Sequence, residues 1–293
     1  MDIRCLPGPR DLLGESPLWD PRNQALYWVD SKAPRVRCLR PASGESRHWA
    51  VPEDIGSIAL TDSGRLLMAL ANGFHLLDLD SGETTPLVTV HHPKPQMRLN
   101  DGHCDRQGRF VAGSLVHGRP DADGEIYRLD AQRHVDVLQR GIAVSNSICF
   151  SPAGDRMYFA DSLTGIVQVC DYDGPGGRVG AARPFVDTRP CGSGPDGATV
   201  DAEGGVWVAL VLAGRIARFR PDGSLDRLVD LPVEYPTCPC FGGPDLDVLY
   251  VTSISNSGHR LRSDEPDAGA LVEVRGLGVR GLPEARYADG AHA

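Results

Sequence analysis

Short apolar runs, five or six residues long, recur along the whole 293-residue chain, and each follows a turn built from Gly, Pro, Asp, Asn or Ser. The runs read ALYWVD (25–30), LLMAL (66–70), FVAGSL (110–115), MYFADS (157–162), VWVALV (206–211) and VLYVTS (248–253), after the turns DPRNQ, TDSGR, DRQGR, SPAGDR, DAEGG and GGPDLD. They are rich in Val, Leu, Tyr, Phe and Trp and too short for helices, so each predicts a strand. A second run trails most of them, as in RVRCLR, GFHLLDLD, GEIYRLD, IVQVCDYD and RIARFR, which makes a meander. The phrase repeats six times, starting near Glu15, Ser57, Asn100, Asn146, Asp196 and Cys238, at intervals of 42–50 residues. A four-stranded propeller blade takes about 40–45. The pattern therefore predicts an all-β chain, a six-bladed β-propeller with four-stranded antiparallel blades, as one domain over residues 1–293. The N-terminal run IRCLPG is expected to pair with GALVEVRG near the C-terminus, because an unclosed ring leaves two unpaired edges.

Composition narrows the partner. The formal net charge is −9 and no Lys/Arg-rich run is present, which argues against nucleic acid or an anionic membrane surface and for a small molecule. No apolar run approaches the roughly 20 residues of a bilayer span, and the first residues lack a basic segment followed by an apolar one, so a cytoplasmic location is expected. The eight cysteines are scattered without a CxxC pair and several fall inside apolar runs, which predicts reduced, buried thiols. Nothing in the sequence speaks to oligomeric state.

The repeat also phases the chemistry. The first strand of each propeller blade lines the central channel, so residues at one phase of successive repeats converge on one end of the axis. Glu15, Asn146 and Asp196 share that phase and supply two carboxylates and an amide oxygen. This hard-oxygen set suits one divalent ion, Ca, Mg or Mn, and tolerates Zn or Fe. Without a cation, two carboxylates confined together repel, and one is driven to protonate. Taken singly, each is a turn or strand-start residue bonding its own backbone; the shared phase is what points to a site. Other motifs carry less. GPGGRVG (174–180) reads as a hairpin loop, DADGE (121–125) as a turn, the nine histidines show no ligand spacing, and the CPC at Cys238 alternates across a strand as packing.

The strings GESPLWD, RLNDGHCDRQGRFVAGSL, SNSICFSPAGDRMYFADS, PDGATVDAEGGVWVA and CFGGPDLDVLYVTS resemble, in order and over nearly the whole chain, the senescence-marker/regucalcin/gluconolactonase family. The resemblance implies a six-bladed propeller that hydrolyses sugar-acid lactones with one divalent metal. It implies Glu15, Asn146 and Asp196 as the metal ligands and Arg98 and Asn100 as substrate-pocket residues. Asp196, beside the attacking water, is the candidate general base, and Asp101 is expected to orient Arg98 or its loop. One departure stands out. After AGSL, where several members of the family place an acidic residue, this chain has Val116, His117, Gly118 and Arg119. With His117 and Arg119 at the pocket, the mouth is expected to be neutral to positive and to accept aldarolactones as well as aldonolactones. The competing class is a non-catalytic metal-binding or protein-binding propeller, since this fold hosts scaffolds as readily as enzymes.

Overall fold

The computed structural model describes residues 1–258 and 260–290. Six antiparallel sheets stand around an axis, at residues 14–50, 55–89, 97–142, 145–187, 195–230 and 236–275, and in each the strands run in chain order from the axis outward. We number these blades 1 to 6. The turns form as the sequence chemistry dictates. In DRQGR the Asp105 carboxylate accepts from the backbone N–H groups of Gln107 (3.0 Å) and Arg109 (2.9 Å), and Gly108 takes the positive φ of 79° that closes the turn. Asp201 repeats the device in DAEGG, bonding Glu203 and Gly205.

The ring closes as expected. Asp2–Cys5 forms the outermost strand of blade 6, pairing Asp2 with Arg275 and Cys5 with Val272, so the two chain ends share one sheet. Blade 4 carries a small variation: its outer strand Arg183–Asp187 pairs directly with Ile166–Asp173, after a two-residue ribbon, Arg178–Val179, has folded back as the hairpin read from GPGGRVG. The core lies between blades. Leu18, Tyr27 and Val29 of blade 1 pack with Ile58, Leu66 and Met68 of blade 2, and equivalent clusters fill the other seams. All eight cysteines are unpaired; six are buried, while Cys5 and Cys191 are partly exposed. No helix among the described residues is long and apolar enough to cross a membrane.

Residues 276–290 follow no blade. They run across one face of the ring, where Ala202 N donates to Arg280 O (2.8 Å), Tyr287 N to Leu60 O (2.7 Å) and Ala288 N to Gly108 O (3.0 Å). Glu284 of this strap meets His103 of blade 3 at 3.3 Å, both largely buried. The strap covers the turn side of the inner strands. Chemistry is therefore confined to the opposite face, where those strands begin.

Candidate active site

Every inner strand breaks its register just after it enters the ring: between Glu15 and Leu18, Ile55 and Ser57, Leu99 and Gly102, Asn146 and Cys149, Pro195 and Ala198, and Pro236 and Pro239. Such bulges re-aim side chains and favour sites. Ser16 and Ser147, each directly after a candidate ligand, hold the left-handed backbone that β-region residues avoid, with φ of 50° and 56°. Counted back from the turn that ends each strand, the register sets Glu15, Gly56, Asn100, Asn146, Asp196 and Thr237 at one level. Ser57 and Cys238, which sequence phasing put with the ligands, lie one residue further along, level with Ser16, Asp101 and Ser147.

That second level stitches the blades together. Ser16 Oγ accepts from Ile58 N (3.0 Å), Ser57 Oγ donates to Asn100 O (2.7 Å), Asp101 Oδ2 accepts from Ile148 N (2.7 Å), and Ser147 Oγ donates to Asp196 O. Between blades 5 and 6, Gly197 has no side chain and packs against the Cys238 thiol, and Thr237 Oγ1 closes the ring on Gly14 O at 2.5 Å. Asp101 thus pins the neighbouring blade rather than orienting Arg98 as expected. Its carboxylate oxygen is already engaged by the backbone it holds.

The first level faces the axis as a directed polar chain. Arg98 Nη1 donates to Asn100 Oδ1 (2.9 Å) and to Leu99 O (2.9 Å); Asn100 Nδ2 donates to Asn146 Oδ1 (2.9 Å) and Ser145 O (2.9 Å); Asn146 Nδ2 donates to Ser162 Oγ (2.9 Å). The chain fixes which way each amide points, so Asn146 keeps its oxygen toward Asn100 with a second lone pair to spare. Arg98 is buried, and its Nε has no partner.

Charge at this level does not balance. Burial, then Asp196 and Asp101, push the Glu15 carboxyl well above its ordinary range, with Arg98 offsetting only part. Burial and Asp101 drive Asp196 up in the same way against the N–H of Gly197. Asp101 is itself raised by burial, opposed by His103 and by two backbone N–H groups. Burial holds the Arg98 guanidinium below its ordinary value, and Asp54 and Glu15 offset only part of that. Of the three carboxyls only Glu15 is offset by Arg98, so the repulsion between Glu15, Asp196 and Asp101 stays largely uncompensated. Among the described residues no cluster of three or more His, Cys, Asp or Glu side chains is disposed to hold a metal ion. The donor set that fits is mixed: Glu15, Asp196 and the amide oxygen of Asn146, hard oxygens with coordination positions left over for substrate.

Above this level opens a pocket of about 490 Å³, walled by Leu13, Leu115, Val116 and Val144 and reached by Arg98 from below. His117 and Arg119 line it. His117 is half-buried, its backbone N–H held by Gln96 O at 2.8 Å, whereas Arg119 is exposed and 3.8 Å from Asp121. Larger cavities, of about 580 and 570 Å³, lie in rim grooves whose linings include none of the axial residues. The structure thus brings together Glu15, Arg98, Asn100, Asn146 and Asp196 and sets His117 and Arg119 at the mouth above them.

Residues 13–255 match the family model described as SMP-30/Gluconolactonase/LRE-like region. The chain belongs to this family. Among curated proteins, L-arabinolactonase of Azospirillum brasilense is 39% identical, with 95% of this chain and 93% of that protein covered. The 6-deoxy-6-sulfogluconolactonase of Pseudomonas putida is 34% identical, with 98% of each covered. Among solved structures, a calcium-binding protein, regucalcin, from Agrobacterium tumefaciens superposes with a TM-score of 0.89 at 31% identity, covering 95% of each chain. The chain carries two further cations at the pocket, Lys32 and Arg260, which sequence reading did not single out. Neither sits in an inner strand, so the repeat that phases the ligands says nothing about them.

Proposed function

We propose that this chain hydrolyses the ring ester of a sugar-acid lactone, aldono- or aldaro-, with one divalent metal ion held by Glu15, Asn146 and Asp196. The observation that carries the reading is the convergence, on one level of the axis, of two carboxylates raised by burial and mutual repulsion and one oriented amide, directly beneath a cation-lined pocket. Ca, Mg, Mn, Zn and Fe all suit such ligands. When bound, the ion supplies Lewis acidity toward the lactone carbonyl. The chain's residues do the rest. Asp196 accepts the proton of the attacking water as its oxygen bonds the carbonyl carbon, and that proton passes to the ring oxygen as the ester C–O bond breaks. Arg98, anchored on Asn100 and Leu99 O, offers its unpartnered Nε and remaining N–H groups to substrate oxygens. Asn100 is the hinge of the network, since it contacts both Arg98 and Asn146. The walls of Leu115, Val116 and Val144 exclude bulk water from one side of the ring.

The test is a pH-indicator assay with glucono-1,5-lactone, corrected for spontaneous hydrolysis. Chelation is expected to abolish turnover, and Mn, Zn, Ca or Fe to restore it. Full turnover by protein shown metal-free by elemental analysis overturns the mechanism, and metal binding without turnover of any lactone favours a non-catalytic propeller.

A further inference from the structure

The pocket above the axis is lined by four cationic side chains, Lys32, Arg98, Arg119 and Arg260, and by no acidic one, in a chain whose net charge is −9. The four do not act alike. Arg98 lies deepest, with Nη1 held by the Asn100 amide and Asp54 and Glu15 as its nearest charges, and serves the lactone end of the pocket. Lys32 Nζ is half-compensated by Asp54 Oδ2 at 3.3 Å, and Arg119 sits 3.8 Å from Asp121. Arg260 has no carboxylate partner among the described residues.

The backbone places Arg260 opposite the 117–119 loop. Blade 6 does not turn tightly after Val248–Ser253 but sends out a long connection on the site face. There Asn256 bridges Arg262, and Ser257 N bonds Leu261 O at 2.9 Å. That loop lies on Lys32: a methyl group at Gly258 would sit 3.8 Å from its Cδ and Cε. Lys32 and Arg260 therefore form one rim of the pocket, and His117 to Arg119 another.

We infer that Lys32 and Arg260, with Arg119 across the pocket, form an arch that recognises a second anionic group, a carboxylate or sulfonate, on the end of the sugar remote from the lactone carbonyl. The inference rests on the lactonase reading and names its substrate class. Charge-assisted contacts of this kind are directional and strong when partly desolvated, and a cation-lined mouth on an acidic protein steers anions toward it.

Galactono-1,4-lactone and galactaro-1,4-lactone have the same ring and differ at the remote carbon, CH₂OH in one and carboxylate in the other. The protein is expected to show kcat/KM for the galactaro lactone at least about tenfold above the galactono lactone, the gap narrowing as salt rises. Arg260→Gln is expected to reduce that ratio about tenfold through KM of the anionic lactone, and Arg260→Glu to invert it. Lys32→Gln, which also frees Asp54, reduces it less. A sulfogluconolactone arm separates a sulfonate from a carboxylate preference. A ratio near one in the parent, or one that both Arg260 variants leave unchanged, overturns the arch. If the parent turns over neither of these nor glucono-1,5-lactone, it is the lactonase reading that fails. Calorimetric titration with galactarate against galactitol then decides the arch alone: binding of galactarate that Arg260→Gln weakens supports it, and no binding rejects it.

Discussion

Asp196→Asn tests the axial site through two readouts that move in opposite directions. The substitution is isosteric, and the amide oxygen can still accept the Gly197 N–H that bonds the carboxylate. What it removes is one of three buried carboxyls, Glu15, Asp101 and Asp196, that raise one another. In metal-free protein that crowding costs stability. A buried polar group short of partners costs about 1–3 kcal/mol, and 1 kcal/mol shifts Tm by roughly 2–4 °C in chains somewhat shorter than this one. The variant is therefore expected to melt about 2–8 °C higher than the parent in chelator. Metal reverses the order. Saturation at a hundred times Kd stabilises the parent by about 2.7 kcal/mol, and the variant, lacking a ligand charge, gains little of it. Turnover is expected to fall about a hundredfold or more, roughly 2.7 kcal/mol in the barrier. Scanning calorimetry of both proteins in chelator and across a Mn²⁺ titration, alongside lactone kinetics, gives all three numbers. A lower Tm in chelator refutes the claim that these carboxylates oppose one another, and an unchanged kcat removes Asp196 from the chemistry.

Asn146→Ala should chiefly cost metal affinity, since Asn146 Oδ1 is the neutral member of the donor set, and the metal-induced rise in Tm is expected to vanish. An unchanged rise at the same Mn²⁺ concentration means that Asn146 is not a ligand. The strap carries a pH signature. Burial opposes charge on both Glu284 and His103, yet each outweighs it for the other, aided by Arg106 for Glu284 and by Asp101 for His103, so Glu284 is held below its ordinary value and His103 above. A depressed carboxyl stabilises above its unfolded value of 4.5 and loses that contribution as pH falls through the folded one; a raised imidazole stabilises below 6.5 and loses it as pH rises through the folded value. The pair should therefore be strongest between those limits. Glu284→Gln, leaving a buried partner unpaired, is expected to cost about 3 kcal/mol near pH 5.5 and much less at pH 9; a Tm difference that is flat across that range dismisses the pair as a source of stability.

The inner three strands of each blade were legible because their apolar runs and turn chemistry are local: LLMAL and VWVAL are buried at every position, and the Asp that begins DRQGR and DAEGG bonds its own turn. The outer strands left weaker marks. Glu45–Ala50 and Val135–Ile142 form the solvent edge of their blades, and their exposed positions read as polar linker. Ring closure was readable from IRCL because an unpaired edge demands a partner; the strap was not, since it has neither apolar alternation nor turn spacing and is held by backbone bonds to far-off turns. The misplaced phases of Ser57 and Cys238 have one cause.

Matching strings at the start of each repeat cannot see a bulge, and the bulge decides which of two successive residues faces the axis. In blade 2 that residue is Gly56, and a side chain there would run into the carbonyl oxygen of Asn100, the residue that orients Asn146. Blade 2 thus contributes no ligand because its glycine gives way to the backbone beneath the Arg98–Asn100–Asn146 chain. The sixfold repeat sets the scaffold, and the site is built from its departures: Glu15, Asn146 and Asp196 occupy one level on three blades, while glycine at the same level on a fourth lets the polar network between them close.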